Sequence, residues 1–152
     1  MSLVIMLFFL LLSSVSSFTF SPPSPRNPTF LSSTSTSTIP ILTSEALEQT
    51  ITVTPPPYLI LTASAIWCGP CQILAPQLSL ASEILNNEYP GHGLKMMKFD
   101  VDDDDVIAGR LNVEGLPSIL FFKDGKLLSK MEGAFPAEEV VAHATKVFSL
   151  ND

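Results

Sequence analysis

What the chain lacks excludes several classes of protein. Its 152 residues include only two cysteines, and eight basic residues stand against fifteen acidic ones, for a formal net charge of −7. Two cysteines cannot form the several disulfides that hold small secreted scaffolds together. So few cations argue against a surface that binds nucleic acid by neutralising phosphates. Past the N-terminus no apolar run approaches the ~20 residues of a membrane-spanning helix. The composition therefore predicts one ordinary domain plus some additional sequence.

The N-terminal sequence has the composition of a targeting segment. Residues 3–12 read LVIMLFFLLL, which is short for a membrane span but fits the apolar region of a signal peptide, although no Lys or Arg precedes it. Residues 13–44 contain seventeen Ser or Thr and five prolines, with one Arg and no acid. Such a stretch cannot bury enough apolar surface to fold, so we expect it to be disordered.

Both halves of this segment fit a bipartite plastid presequence. A Ser/Thr-rich, acid-free stretch is typical of a chloroplast transit peptide, and Ser17-Phe18 resembles the junction between signal and transit peptides in algae with secondary plastids. We therefore predict a presequence over residues 1–42, a folded domain over residues 43–152 and a plastid location. A secretory or extracellular location and a membrane-anchored form remain as alternatives.

The hydrophobic pattern of the folded part predicts alternating helices and strands. Residues 58–63 (YLILTA) are almost continuously apolar, as in a strand buried on both faces, and apolar residues recur at helical spacing between residues 68 and 86. The other predicted elements are a short helix in 43–50, capped by Ser44 and ended before the β-branched run 51–53, a strand over 94–101, a short helix over 103–111, a hairpin of strands 118–122 and 126–131 around Asp124-Gly125, and a closing helix over 136–148. This order predicts an α/β fold, with a mixed sheet covered by helices on both faces.

A Cys-x-x-Cys pair lies where the first long strand meets the first long helix. Cys68 falls at the helix N-terminus, where free N–H groups and the helix dipole stabilise a thiolate. Cys71 is one turn further along the same face, so the pair can close a small disulfide and reopen it. Gly69 permits close approach of a substrate backbone, and Pro70 suits the first helical turn. The pattern predicts redox chemistry.

Three other interpretations, a zinc site, a structural disulfide and a calcium-binding loop, have weaker support. A structural zinc site needs further ligands, and the chain has no third Cys, while His92 and His143 lie far apart. A purely structural disulfide across so small a loop removes little entropy from the unfolded chain. The acidic run Asp100 to Asp105 lacks the Gly and Glu of a calcium-binding loop, so it is interpreted as a solvated helix start. We place His92 in a loop and His143 at the surface or rim, and assign Met96, Met97, Phe121 and Phe122 to the core.

Several motifs together resemble the thioredoxin family. They are WCGPC at residues 67–71, a proline five residues after the second Cys, GLPS at residues 115–118, FFKDGK at residues 121–126 and Gly133. The resemblance covers roughly residues 44–150 and implies the thioredoxin fold and dithiol–disulfide exchange without a bound cofactor.

The resemblance also implies roles for individual residues. Cys68 would be the nucleophile and Cys71 the resolving cysteine, with Pro117 as a cis-proline facing both. The substrate groove would be lined by Trp67, Gly69, Pro70, Gly115, Leu116 and Pro117.

Two positions depart from the family pattern. Thr62 stands where thioredoxins usually have a buried Asp that shuttles a proton for the second Cys, and Ser64 stands where they usually have an aromatic residue. Because a hydroxyl is not a base near neutral pH, deprotonation of Cys71 would rely on water or on Lys98, which matches a family lysine. We expect a competent but slower or more specialised reductase.

The predicted partners are protein disulfides and a reductase. The resemblance implies a monomer that is recharged by a thioredoxin reductase, ferredoxin-dependent in a plastid. From the charge and hydropathy we expect no nucleic-acid partner and no stable membrane insertion of the mature domain. An acidic surface should favour basic targets. Two alternatives stay open, namely a thioredoxin-fold binding subunit with incidental redox activity and a disulfide oxidase or isomerase of the secretory pathway.

Overall fold

The computed structural model describes residues 39–151. These residues belong to one compact unit. Residues 1–38 of the predicted targeting segment lie outside the described residues. In the part that the structure describes, no helix combines the length and the apolar character needed to cross a membrane.

Four strands form one mixed sheet. The strands are β1 (Tyr58–Ser64), β2 (Leu94–Asp100), β3 (Ser118–Lys123) and β4 (Lys126–Glu132), in the spatial order β2-β1-β3-β4. The β1–β2 pair is parallel, whereas β3 is antiparallel to both β1 and β4. At the outer edge of β2, Ile41 forms a single parallel bridge to Lys98. The helices are α1 (Ser44–Glu48), α2 (Gly69–Glu88), α3 (Asp105–Arg110) and α4 (Ala137–Phe148).

Each face of the sheet carries its own hydrophobic core, because successive strand residues point to opposite faces. One core joins the sheet to α2 and α4 through buried residues that include Ile60, Leu78, Phe121 and Phe148. The other joins it to α1 and α3 through Leu47, Leu61, Phe99, Ile107 and Phe122, among others. The prediction of a mixed sheet with helices on both faces is confirmed.

The first helix differs from its prediction at both ends. Thr43 rather than Ser44 occupies the N-cap position, and the chain stays helical beyond Glu48, in a π-helical turn over Gln49–Val53. Thr50 and Thr52 donate their hydroxyls to the carbonyl oxygens of Ala46 (2.7 Å) and Glu48 (2.6 Å). A threonine hydroxyl can bond the carbonyl four residues back, so these side chains fit the turn despite their β-branching.

The remaining elements lie within a few residues of their predicted bounds. Helix α2 continues through Pro76. Met96, Phe121 and Phe122 are buried, whereas Met97 is half-buried.

His92 lies in an exposed loop. His143 is half-buried, pairs with the Ser129 hydroxyl at 2.8 Å and packs on Phe121. Its burial, with a smaller contribution from the nearby Lys146 charge, lowers the pKa of His143.

The β3–β4 turn gives a prediction about stability. Gly125 has φ +78°, and a Cβ atom there would lie 3.0 Å from the Ile51 carbonyl oxygen and 3.2 Å from Pro55. Gly125→Ala should therefore lower the free energy of unfolding by about 2 kcal/mol, measured by urea denaturation. Gly91→Ala is the matched control, because Gly91 has φ +86° but open space around its Cα. Equal losses in the two variants would show that the close approach of the new Cβ atom to the Ile51 carbonyl oxygen contributes nothing.

Candidate active site

The two cysteines form a disulfide at the start of α2. Their Cα atoms are 5.3 Å apart, and Cys68 Sγ also accepts a hydrogen bond from the Cys71 backbone N–H at 3.2 Å. Cys68 is the N-cap of the helix, and Pro70 lies in the first turn. The helix therefore begins at the disulfide, with its free N–H groups directed toward Cys68, where they favour negative charge on sulfur.

A surface groove of about 520 Å³ opens beside Cys68. Five of the residues predicted to line a groove do line this one, namely Trp67, Gly69, Pro70, Gly115 and Leu116. Cys68 itself is only 4% exposed in the disulfide state. A Cβ atom added at Gly69 would meet no atom within 4 Å. The space above Gly69 is therefore open to the backbone of a bound peptide.

The Trp67 side chain lines the groove. It is 69% exposed, and its Nε1–H donates to Asp102 Oδ2 at 2.7 Å. The Asp102 backbone N–H in turn donates to Asp100 Oδ1 at 3.0 Å. The acidic run after β2 thus contains the hydrogen-bond acceptor that fixes the indole beside Cys68.

The opposite wall of the groove is the loop before β3. The Leu116–Pro117 peptide bond is cis, and Ser118 donates its hydroxyl to the Gly115 carbonyl at 2.7 Å. The Pro117 carbonyl accepts from the Gly133 N–H at 2.8 Å, which ties the loop to the end of β4. Leu116 lines the groove beside Cys68, whereas Pro117 lines a second cavity beside Cys71.

We call this second space the Cys71 cavity. It has a volume of about 460 Å³ and is lined by Cys71, Thr62, Ser64, Lys98 and other residues of β1, β2 and α2. Thr62 and Lys98 are register partners in the parallel β1–β2 pair. Thr62 is 2% exposed, and its Oγ1 has no hydrogen-bond partner among the described residues. The structure thus brings both unusual positions, Thr62 and Ser64, together with Lys98 around Cys71.

The comparisons with known proteins agree with this geometry. The thioredoxin family model matches residues 38–146, which is most of the chain and contains both cysteines and the cis-proline. The chain belongs to the thioredoxin family.

Several thioredoxins are similar to this one in sequence. Thioredoxin Y2, chloroplastic, of Arabidopsis thaliana is 39% identical over 77 residues, which are 51% of this chain and 43% of that protein. Thioredoxin Y, chloroplastic, of Oryza sativa subsp. japonica is also 39% identical over 77 residues, with the same coverage. The matched stretch therefore spans less than half of these relatives.

Solved structures match over a longer stretch. The crystal structure of chloroplastic thioredoxin z has a TM-score of 0.61 at 26% identity, over 73% of this chain and 95% of that one. Mitochondrial thioredoxin 3 from Saccharomyces cerevisiae, in its oxidized form, has a TM-score of 0.57 at 30% identity, over 72% and 98% of the two chains. The four-stranded sheet with its flanking helices is the thioredoxin fold.

Four further residues line the groove and were not predicted from the sequence. These residues are Val101, Ala108, Val113 and Glu114. Val113 and Glu114 directly precede Gly115, so their position next to a predicted groove residue could have identified them. Val101 directly follows β2 and Ala108 lies in α3, so only the folded chain brings these two residues to the groove.

Proposed function

We propose that this thioredoxin reduces disulfides in other proteins. The observation that carries the proposal is the Cys68–Cys71 disulfide at the N-terminus of α2, with Cys68 on the wall of an open groove. Cys68 would act as nucleophile and Cys71 as the resolving cysteine. The redox-active pair would need no bound cofactor.

The exchange proceeds in two steps. In the reduced protein the Cys68 thiolate attacks one sulfur of a substrate disulfide, so a mixed disulfide forms and the other substrate sulfur leaves as a thiolate. Cys71, deprotonated, then attacks Cys68 Sγ and releases the second substrate thiolate. The substrate gains two electrons, and the protein is left with the disulfide present in the structure.

The surface around the pair suits an extended segment of a protein substrate. Ile66, Trp67 and Ile73 are exposed apolar side chains next to the disulfide. Glu114 lines the groove, and the chain carries a net charge of −7. Substrates with basic residues beside their disulfide should therefore associate faster, and salt should weaken this preference.

We further propose a plastid location, a monomeric mature domain and recharging by a thioredoxin reductase, ferredoxin-dependent in the plastid. Support for the plastid location comes from relatives whose names include "chloroplastic" and from the Ser/Thr-rich, acid-free N-terminal sequence. Fusion of residues 1–42 to a fluorescent protein would test the location. Export of the fusion from the cell would contradict the plastid proposal and favour the secretory alternative.

Insulin reduction tests the proposed activity. Residues 35–152 and the full chain, each with dithiothreitol, should precipitate insulin well before dithiothreitol alone does. An unrelated acidic protein at the same concentration controls for aggregation. A folded chain that leaves the precipitation time unchanged would contradict the reductase proposal and favour a binding role for this domain.

A further inference from the structure

The Cys71 cavity borders Cys71 rather than Cys68, and we propose that it binds a small monocarboxylate with an apolar tail. The two spaces have different linings, because Cys68 and Leu116 border the groove whereas Cys71 and Pro117 border the cavity. Ligand binding there needs no thiol exchange, so its test is independent of the proposed reductase function.

The size and walls of the cavity suit an apolar tail. Its volume of about 460 Å³ falls within the usual range for small-molecule sites. Buried side chains form part of the wall, and exposed side chains lie at its rim; the buried ones are Ile39, Leu74, Leu78 and Phe99, and the exposed ones are Ile41 and Ile66. Ser64 also lines the cavity and contributes only a small side chain there.

Among the described residues, Lys98 is the one cationic side chain on the cavity wall and would be the partner of an anionic ligand. Lys98 lines the cavity and takes no part in the two ion pairs found among residues 39–151, which are Arg110–Glu48 and Lys130–Glu132. Asp100 also lines the cavity and carries a negative charge, so a bound carboxylate has to lie on the Lys98 side; one Asp100 oxygen accepts the Asp102 N–H. A ligand carboxylate would thus give the Lys98 ammonium a charge-assisted partner in a partly apolar site.

Thr62 supplies a second polar group at the cavity. Its hydroxyl is buried and has no hydrogen-bond partner among the described residues. A buried hydroxyl without a partner is costly, so a carboxylate oxygen within its reach would accept a bond that the protein alone leaves unmade. The same carboxylate could then contact Thr62 and Lys98, which are neighbours across the β1–β2 pair.

Titration with three probes tests the proposal. Octanoate, 1-octanol and acetate are added to the full chain and to residues 35–152, and binding is followed by calorimetry and by ¹⁵N amide shifts. Octanoate should bind most tightly and shift the amides of Lys98 and Cys71 more than that of Gly115 in the groove. Lys98→Gln should weaken octanoate binding ~10-fold and leave 1-octanol binding unchanged.

A filled cavity is the second arm of the test. Ser64→Trp places a large side chain on the cavity wall and should abolish octanoate binding in a chain that remains folded by circular dichroism. Asn87→Trp adds the same side chain to an exposed position near the end of α2 and should bind octanoate as before.

Five results would overturn the proposal. No binding of octanoate would refute it outright. Equal binding of octanoate and 1-octanol, or no effect of Lys98→Gln, would show an apolar recess without anion selectivity. Shifts confined to the amides of the groove would place the ligand elsewhere. Binding by residues 35–152 but not by the full chain would indicate that the N-terminal segment is the occupant.

Discussion

Cys68→Ser is expected to lower catalysed insulin reduction at least ~100-fold, to the background given by dithiothreitol alone. A serine hydroxyl is not ionised near neutral pH, whereas a thiol at a helix N-terminus is readily deprotonated. Cys68 is the cysteine that lines the groove, so no other thiol stands where a bound disulfide would lie. Loss of activity is therefore expected although the groove itself is retained.

Cys71→Ser is the matched control, because it also removes the disulfide but retains the Cys68 thiol. It should react once with a substrate and accumulate as a mixed disulfide, which mass spectrometry detects as an added substrate mass. Cys68→Ser should form no such adduct. An adduct on Cys68→Ser but not on Cys71→Ser would reverse the assigned roles, since Cys71 is the more exposed of the two in the disulfide state.

Local patterns were sufficient to predict most of the fold. The apolar run of β1 and the helical spacing of Leu74, Leu78, Ala81 and Leu85 each reflect a side chain's relation to its near neighbours in sequence. The Asp124-Gly125 pair specified the hairpin, because both residues adopt positive φ in the turn. These signals depend little on distant parts of the chain, which is why they could be interpreted without a structure.

The first helix shows where local patterns were insufficient. A β-branched run from Ile51 to Val53 predicted the end of the helix, yet the turn continues to Val53. Ile51 packs against the core formed with α1 and α3. Packing against a distant sheet and side-chain bonds to the previous turn outweigh a modest local preference.

The candidate site was predictable to the extent that its residues are contiguous. WCGPC and the residues around Pro117 are short motifs, so the cysteines and most of the groove could be named from sequence. The Cys71 cavity could not, because Ile39, Thr62 and Leu74 belong to different segments and meet only in the fold. Sequence identified Thr62 as unusual, but only the structure shows its hydroxyl buried without a partner beside the cavity.

Thr62→Asp is expected to raise the rate of insulin reduction about 10-fold. The new carboxyl would lie among residues that line the Cys71 cavity, where it can take the proton from Cys71 as the mixed disulfide resolves. Burial raises the pKa of such a carboxyl toward neutrality, which is the range where a general base is most effective. The gain should come in the resolving step, so stopped-flow measurement should show faster decay of the mixed disulfide with little change in its formation.

Thr62→Asn separates the base from the shape of the side chain. Asparagine is close to aspartate in size but cannot accept a proton at neutral pH, so its rate should stay near that of the unaltered protein. In the Thr62→Asp variant, the buried carboxylate should also reduce the free energy of unfolding by about 2 kcal/mol, because its desolvation is only partly offset by Lys98. Equal rates for the Asp and Asn variants would show that Cys71 already loses its proton efficiently through water or Lys98, and that Thr62 is no handicap to this thioredoxin.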